Sequence, residues 1–186
     1  MKYQFLESEH IYLRPFNEAD IPFFIKWYND KETRAKIGET MPTSEFDAEN
    51  IVRRKMKDSV WFAIISKEDN KIIGETGLLR MFPAWRTTDL SIIIPDKKDQ
   101  GKGYGTEAIN LMMDYAFGYL AYNRIAIGVV GFNTNALAFY KKVGFKKEGI
   151  QEQGYYYNYH YHDFIMMRIL KDEFVANSIV SSDEKM

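Results

Sequence analysis

Cysteine is absent from this 186-residue chain. That absence excludes a disulfide scaffold, a thiolate metal site and a cysteine nucleophile. It also suits a reducing compartment, and the expected location is the cytoplasm. An excess of one charge is missing too: 25 Lys and Arg stand against 26 Asp and Glu, a formal net charge of −1. A nucleic-acid binder shows a lopsided positive balance, so no nucleic-acid partner is expected. No apolar run approaches the roughly 20 residues that cross a bilayer. The segment Met1-Lys2-Tyr3-Gln4-Phe5-Leu6-Glu7 has an acid where a signal peptide keeps its apolar stretch. The chain therefore reads as soluble and intracellular, with no membrane partner.

What is present is the material of a globular domain. Apolar residues make up 46% of the chain, which argues against disorder. Its length suits one domain with a sizeable core. Thirteen Tyr and thirteen Phe are many, and tyrosine, apolar in body and polar at its tip, suits the wall of a wet cleft.

Periodicity then orders the chain. His10 to Arg14 alternates as a short strand closed by Pro15. Asn17 to Asp20 offers capping residues ahead of a helical run, Ile21, Phe24, Ile25 and Tyr28. Ser44 begins a second helix to about Lys57, acidic early and basic late. Val60–Ser66, Lys71–Met81 and Thr88–Ile94 read as strands, the last ending in an isoleucine run that predicts burial on both faces. Thr106 to Leu120 is an amphipathic helix, Arg124 to Val130 a strand, and Asn133 to Val143 a helix stopped by Gly144. Phe145–Gln153 and Tyr157–Leu170 are the closing strands. The expectation is an α+β fold with a mixed sheet. A single domain is expected over 1–175, with a disordered polar tail at 176–186.

The informative segment lies between a strand and a helix: Gln100-Gly101-Lys102-Gly103-Tyr104-Gly105-Thr106. Its alternate glycines allow positive φ and a close approach of main chain to ligand. The following helix directs unpaired N–H groups and partial positive charge into the loop, which makes an anion site suited to pyrophosphate. A P-loop needs Ser or Thr directly after Gly-Lys, and Gly103 stands there instead. A dinucleotide fingerprint needs a different glycine spacing near the start of its unit. A plain strand-to-helix turn needs fewer glycines.

The spacing Gln-x-x-Gly-x-Gly, Gln100 to Gly105, resembles the acyl-CoA pyrophosphate loop of the GNAT family of N-acetyltransferases. A second stretch, Asn133-Thr134-Asn135-Ala136-Leu137-Ala138-Phe139-Tyr140-Lys141-Lys142-Val143-Gly144-Phe145, is similar to that family's Asn-x-x-Ala…Tyr-x-x-x-Gly-Phe segment. Within the family the chain looks most like the ribosomal-protein and spermidine acetyltransferase branch. The resemblance implies a twisted, mainly antiparallel mixed sheet of about seven strands flanked by about four helices. It implies acetyl-CoA as the acetyl donor, and a small-molecule or peptide amine as acceptor. A polyamine is one such acceptor. A protein N-terminus, or an acyl-CoA-binding module without catalysis, are the alternatives. A homo-oligomer is left open.

The same resemblance distributes roles. Gln100, Gly101, Lys102, Gly103, Tyr104, Gly105 and Thr106 would hold the pyrophosphate. The main chain of Ile92, Ile93 and Ile94 would pair with the pantetheine amides, as a strand-like ligand pairs with a sheet edge. Asn133, Ala136 and Tyr140 complete the cofactor contacts. Tyr140, two helical turns beyond Asn133 on the same face, would return a proton to the leaving thiolate as general acid. Asn133 can equally be a helix cap. Glu75 and Asp89 are the candidates for the catalytic base, either able to attract a cation or relay a proton through water, though both could be solvated carboxylates at strand ends. Glu39, Glu45, Asp47 and Glu49 could form an acidic acceptor wall or simply a solvated helix face. His160 and His162 share a strand face, but no third ligand is apparent, and no metal is expected.

Overall fold

The structure is a computed structural model that describes residues 4–53 and 57–175. Eight strands and five α-helices lie in it, and residues 171–175 are helical as well. The class is mixed α+β. The described residues gather into two compact units, one of residues 4–53, 57–79 and 91–112, the other of residues 80–90 and 113–175.

The first unit holds strands β1 (Leu6–Glu7), β2 (Ile11–Arg14), β3 (Val60–Ser66) and most of β4 (Ile72–Phe82), each antiparallel to its neighbour. Helices α1 (Ile21–Tyr28), α2 (Lys31–Ile37) and α3 (Glu45–Arg53) belong to it. Apolar periodicity makes α1: Phe23 and Phe24 are buried with Ala48 of α3, and Phe16, Ile21 and Ile51 pack on them. The entry to α1 is held by charge and caps. Arg14 makes two bonds of 2.7 Å to the buried carboxylate of Asp20, whose Oδ2 also accepts from the Asn17 N–H. Bidentate pairs of this kind are strong because both charges are hydrogen-bonded.

Two features of this unit differ from the sequence expectation. Strand β1, two residues long, and helix α2 carry too little periodic apolar surface to be seen. The boundaries of α2 were nonetheless encoded, since Asp30 caps its start through the Thr33 N–H at 2.8 Å and Gly38 ends it at φ +80°. Helix α3 begins after Ser44, which caps it; the expected extension toward Lys57 runs into residues 54–56, outside those described.

The second unit holds β5 (Thr87–Ile93) up to Leu90, then β6 (Arg124–Val130), β7 (Lys146–Tyr157), β8 (His160–Leu170) and α5 (Thr134–Lys142). Strand β5 runs parallel to β6, with Thr87, Thr88 and Asp89 opposite Arg124, Ile125 and Ala126. Strand β8 lies antiparallel between β6 and β7. Ile125, Ile127, Val129, Phe145, Met167 and Ile169 are buried here. Helix α4 (Tyr104–Asp114) follows the glycine loop and continues as a wider turn over Tyr115–Tyr119.

The last hairpin corrects an expectation. Its turn falls at Asn158 and Tyr159, both at positive φ (50° and 67°), not at 154–156. Two central residues of that kind make the tight turn whose twist matches the strands. Gly154 sits instead where the β7–β8 register shifts between Gln151 and Tyr155. The tail at 176–186 lies outside the described residues.

Candidate active site

Strand β5 leads into the loop. Its isoleucines, expected to be buried on both faces, are only half-buried at Ile92, Ile93 and Ile94. Strand β5 pairs with β6 at Thr87–Asp89. Beside them on β4, Gly74 is required: a Cβ there would stand 2.3 Å from the Ile93 carbonyl oxygen.

After β5 the chain makes a tight helical turn over Lys97–Asp99, capped by Asp96 through the Lys98 N–H at 3.2 Å. The Gln100 side chain donates back to the Ile94 carbonyl at 2.8 Å, bracing the loop. Gln100 thus has a structural task, and its amide nitrogen points at protein. Gly101 and Gly103 have φ of +75° and +88°, and a Cβ added to either meets nothing within 4 Å. The two glycines therefore serve conformation and leave open space above the main chain. The first bond of α4 runs from the Glu107 N–H to the Gly103 carbonyl at 3.0 Å. A helix begun there leaves the N–H groups of Tyr104, Gly105 and Thr106 without intrahelical acceptors. These observations fit a diphosphate: amides, an open approach and the positive end of a helix dipole. Tyr104 is buried, while Lys102 lies 4.0 Å from Asp99 and over the Tyr104 ring at 5.8 Å. Burial pushes the Asp99 carboxyl up from its usual value. Lys97 reaches Glu32 of α2 at 2.9 Å, so α2 is tied to the root of the loop.

Glu75 lies within β4, not at a strand end, and is 1% exposed. Its Oε1 accepts from the Tyr28 hydroxyl at 2.5 Å. The solvated reading of Glu75 is therefore wrong, since a carboxylate this deep must be hydrogen-bonded. In the second unit Asp89 is the third residue of β5 and bonds the Arg80 guanidinium. Arg80 itself holds a positive φ of 48°.

Asn133 caps α5, its Oδ1 accepting from the Ala136 N–H at 3.2 Å. That bond occupies the Ala136 N–H. Tyr140 is buried, its ring against Phe139 at 5.2 Å and Phe145 at 5.8 Å. Burial raises its hydroxyl well above the ordinary tyrosine value, so it stays protonated across the physiological range.

Of the acidic cluster, Asp47 forms a capping box with Ser44: its Oδ2 accepts the Ser44 N–H at 2.9 Å and hydroxyl at 2.6 Å. That bonding holds the Asp47 carboxyl below its usual value. Glu39 and Glu45 are exposed, and Glu49 lies 3.9 Å from Arg53. His162 packs edge-on to Phe132 at 4.9 Å, and His160 lies 6.5 Å from it between ring centroids. No cluster of three or more potential metal ligands occurs among the described residues. Tyr28 is the member of this set that sequence reading missed. It appeared there only as the last apolar position of a helix.

A family model for the acetyltransferase (GNAT) domain matches residues 10–146. The chain belongs to the GNAT family. It is therefore an N-acetyltransferase, an acyltransferase that uses acetyl-CoA as donor. The match crosses both compact units. Among relatives, YjcK of Bacillus subtilis (strain 168), named a probable N-acetyltransferase, is 31% identical over 121 residues, 65% of this chain and 67% of that protein. The spermidine N(1)-acetyltransferase of Vibrio cholerae is 25% identical over 172 residues, 92% of this chain and 99% of that enzyme. A crystal structure of the Vibrio cholerae spermidine N-acetyltransferase with CoA and spermine shares the fold, with a TM-score of 0.83 at 24% identity, covering 90% of this chain and 99% of the other. No helix among the described residues is long and apolar enough to cross a membrane.

Proposed function

We propose that this GNAT enzyme acetylates a primary amine of a small cationic acceptor, a polyamine such as spermidine. The observation that carries the catalytic reading is the loop at Gln100–Thr106, whose two positive-φ glycines open onto the start of α4. The polyamine reading is supported by the relative that matches along nearly its whole length. Exposed Glu39 and Glu45 add negative charge that attracts a cation.

The donor, when bound, supplies a thioester carbonyl and a thiolate leaving group. In this reading the main-chain amides of Gly101 to Thr106 hold its diphosphate, with Lys102 adding a point charge. The main chain at Ile92–Ile94, the end of β5 and the residue after it, would pair with the pantetheine, and an N–H near Ile92 would polarise the thioester carbonyl. One such donor contributes roughly 3–4 kcal/mol to transition-state stabilisation. Asn133 shapes the start of α5 and so places Ala136 and Tyr140. Glu75 takes the proton from the acceptor ammonium. Asp89, already ion-paired with Arg80, is given no part in the proton transfer. Tyr140 returns a proton to the sulfur. The reading assigns residues 1–175 to one acetyltransferase domain, working in the cytoplasm without a nucleic-acid or membrane partner.

Acetyl-CoA turnover across polyamines, amino acids, aminoglycosides and N-terminal peptides tests it. Spermidine or a close analogue should lead in kcat/KM by at least ~10-fold, about 1.4 kcal/mol of discrimination. Peptide preference would overturn the polyamine reading and leave the catalytic one standing.

A further inference from the structure

We infer that Tyr28 is a positioning residue for Glu75, holding the buried carboxylate ionised and in one orientation for proton abstraction. The inference rests on the reading of Glu75 as the group that deprotonates the acceptor.

Tyr28 is the last residue of α1, and its place is fixed from two sides. Its ring packs edge-on against Phe24 at 5.7 Å, and Phe24 is fully buried. The next residue, Asn29, locks the helix end to the following loop. Its Nδ2 donates at 2.8 Å to the carbonyls of Ile25 and Thr43, and its Oδ1 accepts from the Thr43 N–H at 3.0 Å. A hydroxyl presented from so constrained a position makes a directional bond rather than a wandering one. It is donated to a carboxylate that solvent does not reach.

The surroundings explain why that donor matters. Across the β3 ladder Glu75 faces the apolar Ala63, and on its own strand Thr76 is turned to the Ser91 carbonyl at 2.8 Å. Burial favours the neutral acid, while a hydrogen bond to the charged form favours the carboxylate. A base that is already protonated at working pH does no work, so a hydroxyl donated to the carboxylate favours the form of Glu75 that can accept a proton. Tyr28, half-buried where Glu75 is buried, is the outer member of the pair. It lies forty-seven residues away in sequence.

The test compares pH profiles of kcat/KM for the wild type, Tyr28→Phe, Glu75→Gln and the double variant. In Tyr28→Phe the acid limb should move up by ~1 pH unit or more, the scale of a hydrogen bond to a charged group. Glu75→Gln should lose that limb and fall by roughly 10²-fold. The double variant should match Glu75→Gln alone, because Tyr28 acts only through Glu75. Tyr28→Phe removes one oxygen and keeps the ring on Phe24. A carbon-13 carboxyl titration by NMR, with the Glu75 signal assigned by its loss in Glu75→Gln, reads the same shift without turnover. An unmoved limb and an unmoved titration in Tyr28→Phe, with Glu75→Gln impaired, would overturn the role of Tyr28 and leave Glu75 in place. Wild-type turnover in Glu75→Gln would remove Glu75 from the mechanism and this inference with it.

Discussion

Tyr140 shows what a single side chain can and cannot announce. Its position seven residues after Asn133 was readable, whereas its burial between Phe139 and Phe145 was not. A hydroxyl kept protonated by burial is a suitable acid for a thiolate. Tyr140→Phe should therefore lower kcat by ~10- to 100-fold with little change in acetyl-CoA affinity, measured by steady-state kinetics beside calorimetric binding. Gly103 makes a complementary case. Valine at φ +88° carries backbone strain of about 1–3 kcal/mol and puts methyl groups into the open approach to the α4 amides. Gly103→Val should weaken acetyl-CoA binding by at least ~10-fold while a thermal melt still shows a folded protein. Wild-type affinity in that folded variant would remove the loop from the diphosphate site. Asn133 teaches the reverse lesson, because the same residue type serves caps and ligands, and here its oxygen serves Ala136.

Among elements, the long periodic ones were legible and the short polar ones were not. Helices α1, α4 and α5 announce themselves through apolar spacing, while α2 has only its caps, Asp30 and Gly38. The β7–β8 turn was missed because a tyrosine at positive φ is not a turn signal, and the tyrosine run around it reads as strand. Facing strands also hide constraints that no local pattern carries. Gly128 of β6 lies under the Phe164 ring of β8, where a Cβ would approach to 2.1 Å. Gly128→Ala should cost about 1–3 kcal/mol of stability, read from chemical denaturation. A neutral result would mean that Phe164 can swing away. At α3, Asp47→Ala removes the capping box and should lower Tm slightly. It should leave acceptor KM unchanged, because the carboxylate serves Ser44.

For the whole molecule, acid stability has an identifiable contributor. Burial pushes the Glu173 carboxyl up, but Lys146, Arg168 and the Leu170 N–H outweigh this and hold it at about 2. A carboxyl depressed in the folded state stabilises at pH above its unfolded value of about 4.3, and that contribution fades as pH falls toward about 2. Glu173→Gln should therefore lower Tm at neutral pH and flatten its decline between about pH 4 and pH 2. A scan of Tm against pH for both proteins checks this.

The amino-acid sequence determined the order of the long periodic elements and the anion-binding character of the glycine loop, because both rest on contiguous residues, and its resemblance to the GNAT family implied the acyl-CoA chemistry. Only the tertiary structure decided which acid is buried and which is exposed, which asparagine caps, and which tyrosine meets which carboxylate. Those outcomes depend on partners far away along the chain, such as Tyr28 beside Glu75. Solvation and hydrogen bonding, which set their chemistry, exist only once the strands and helices have packed.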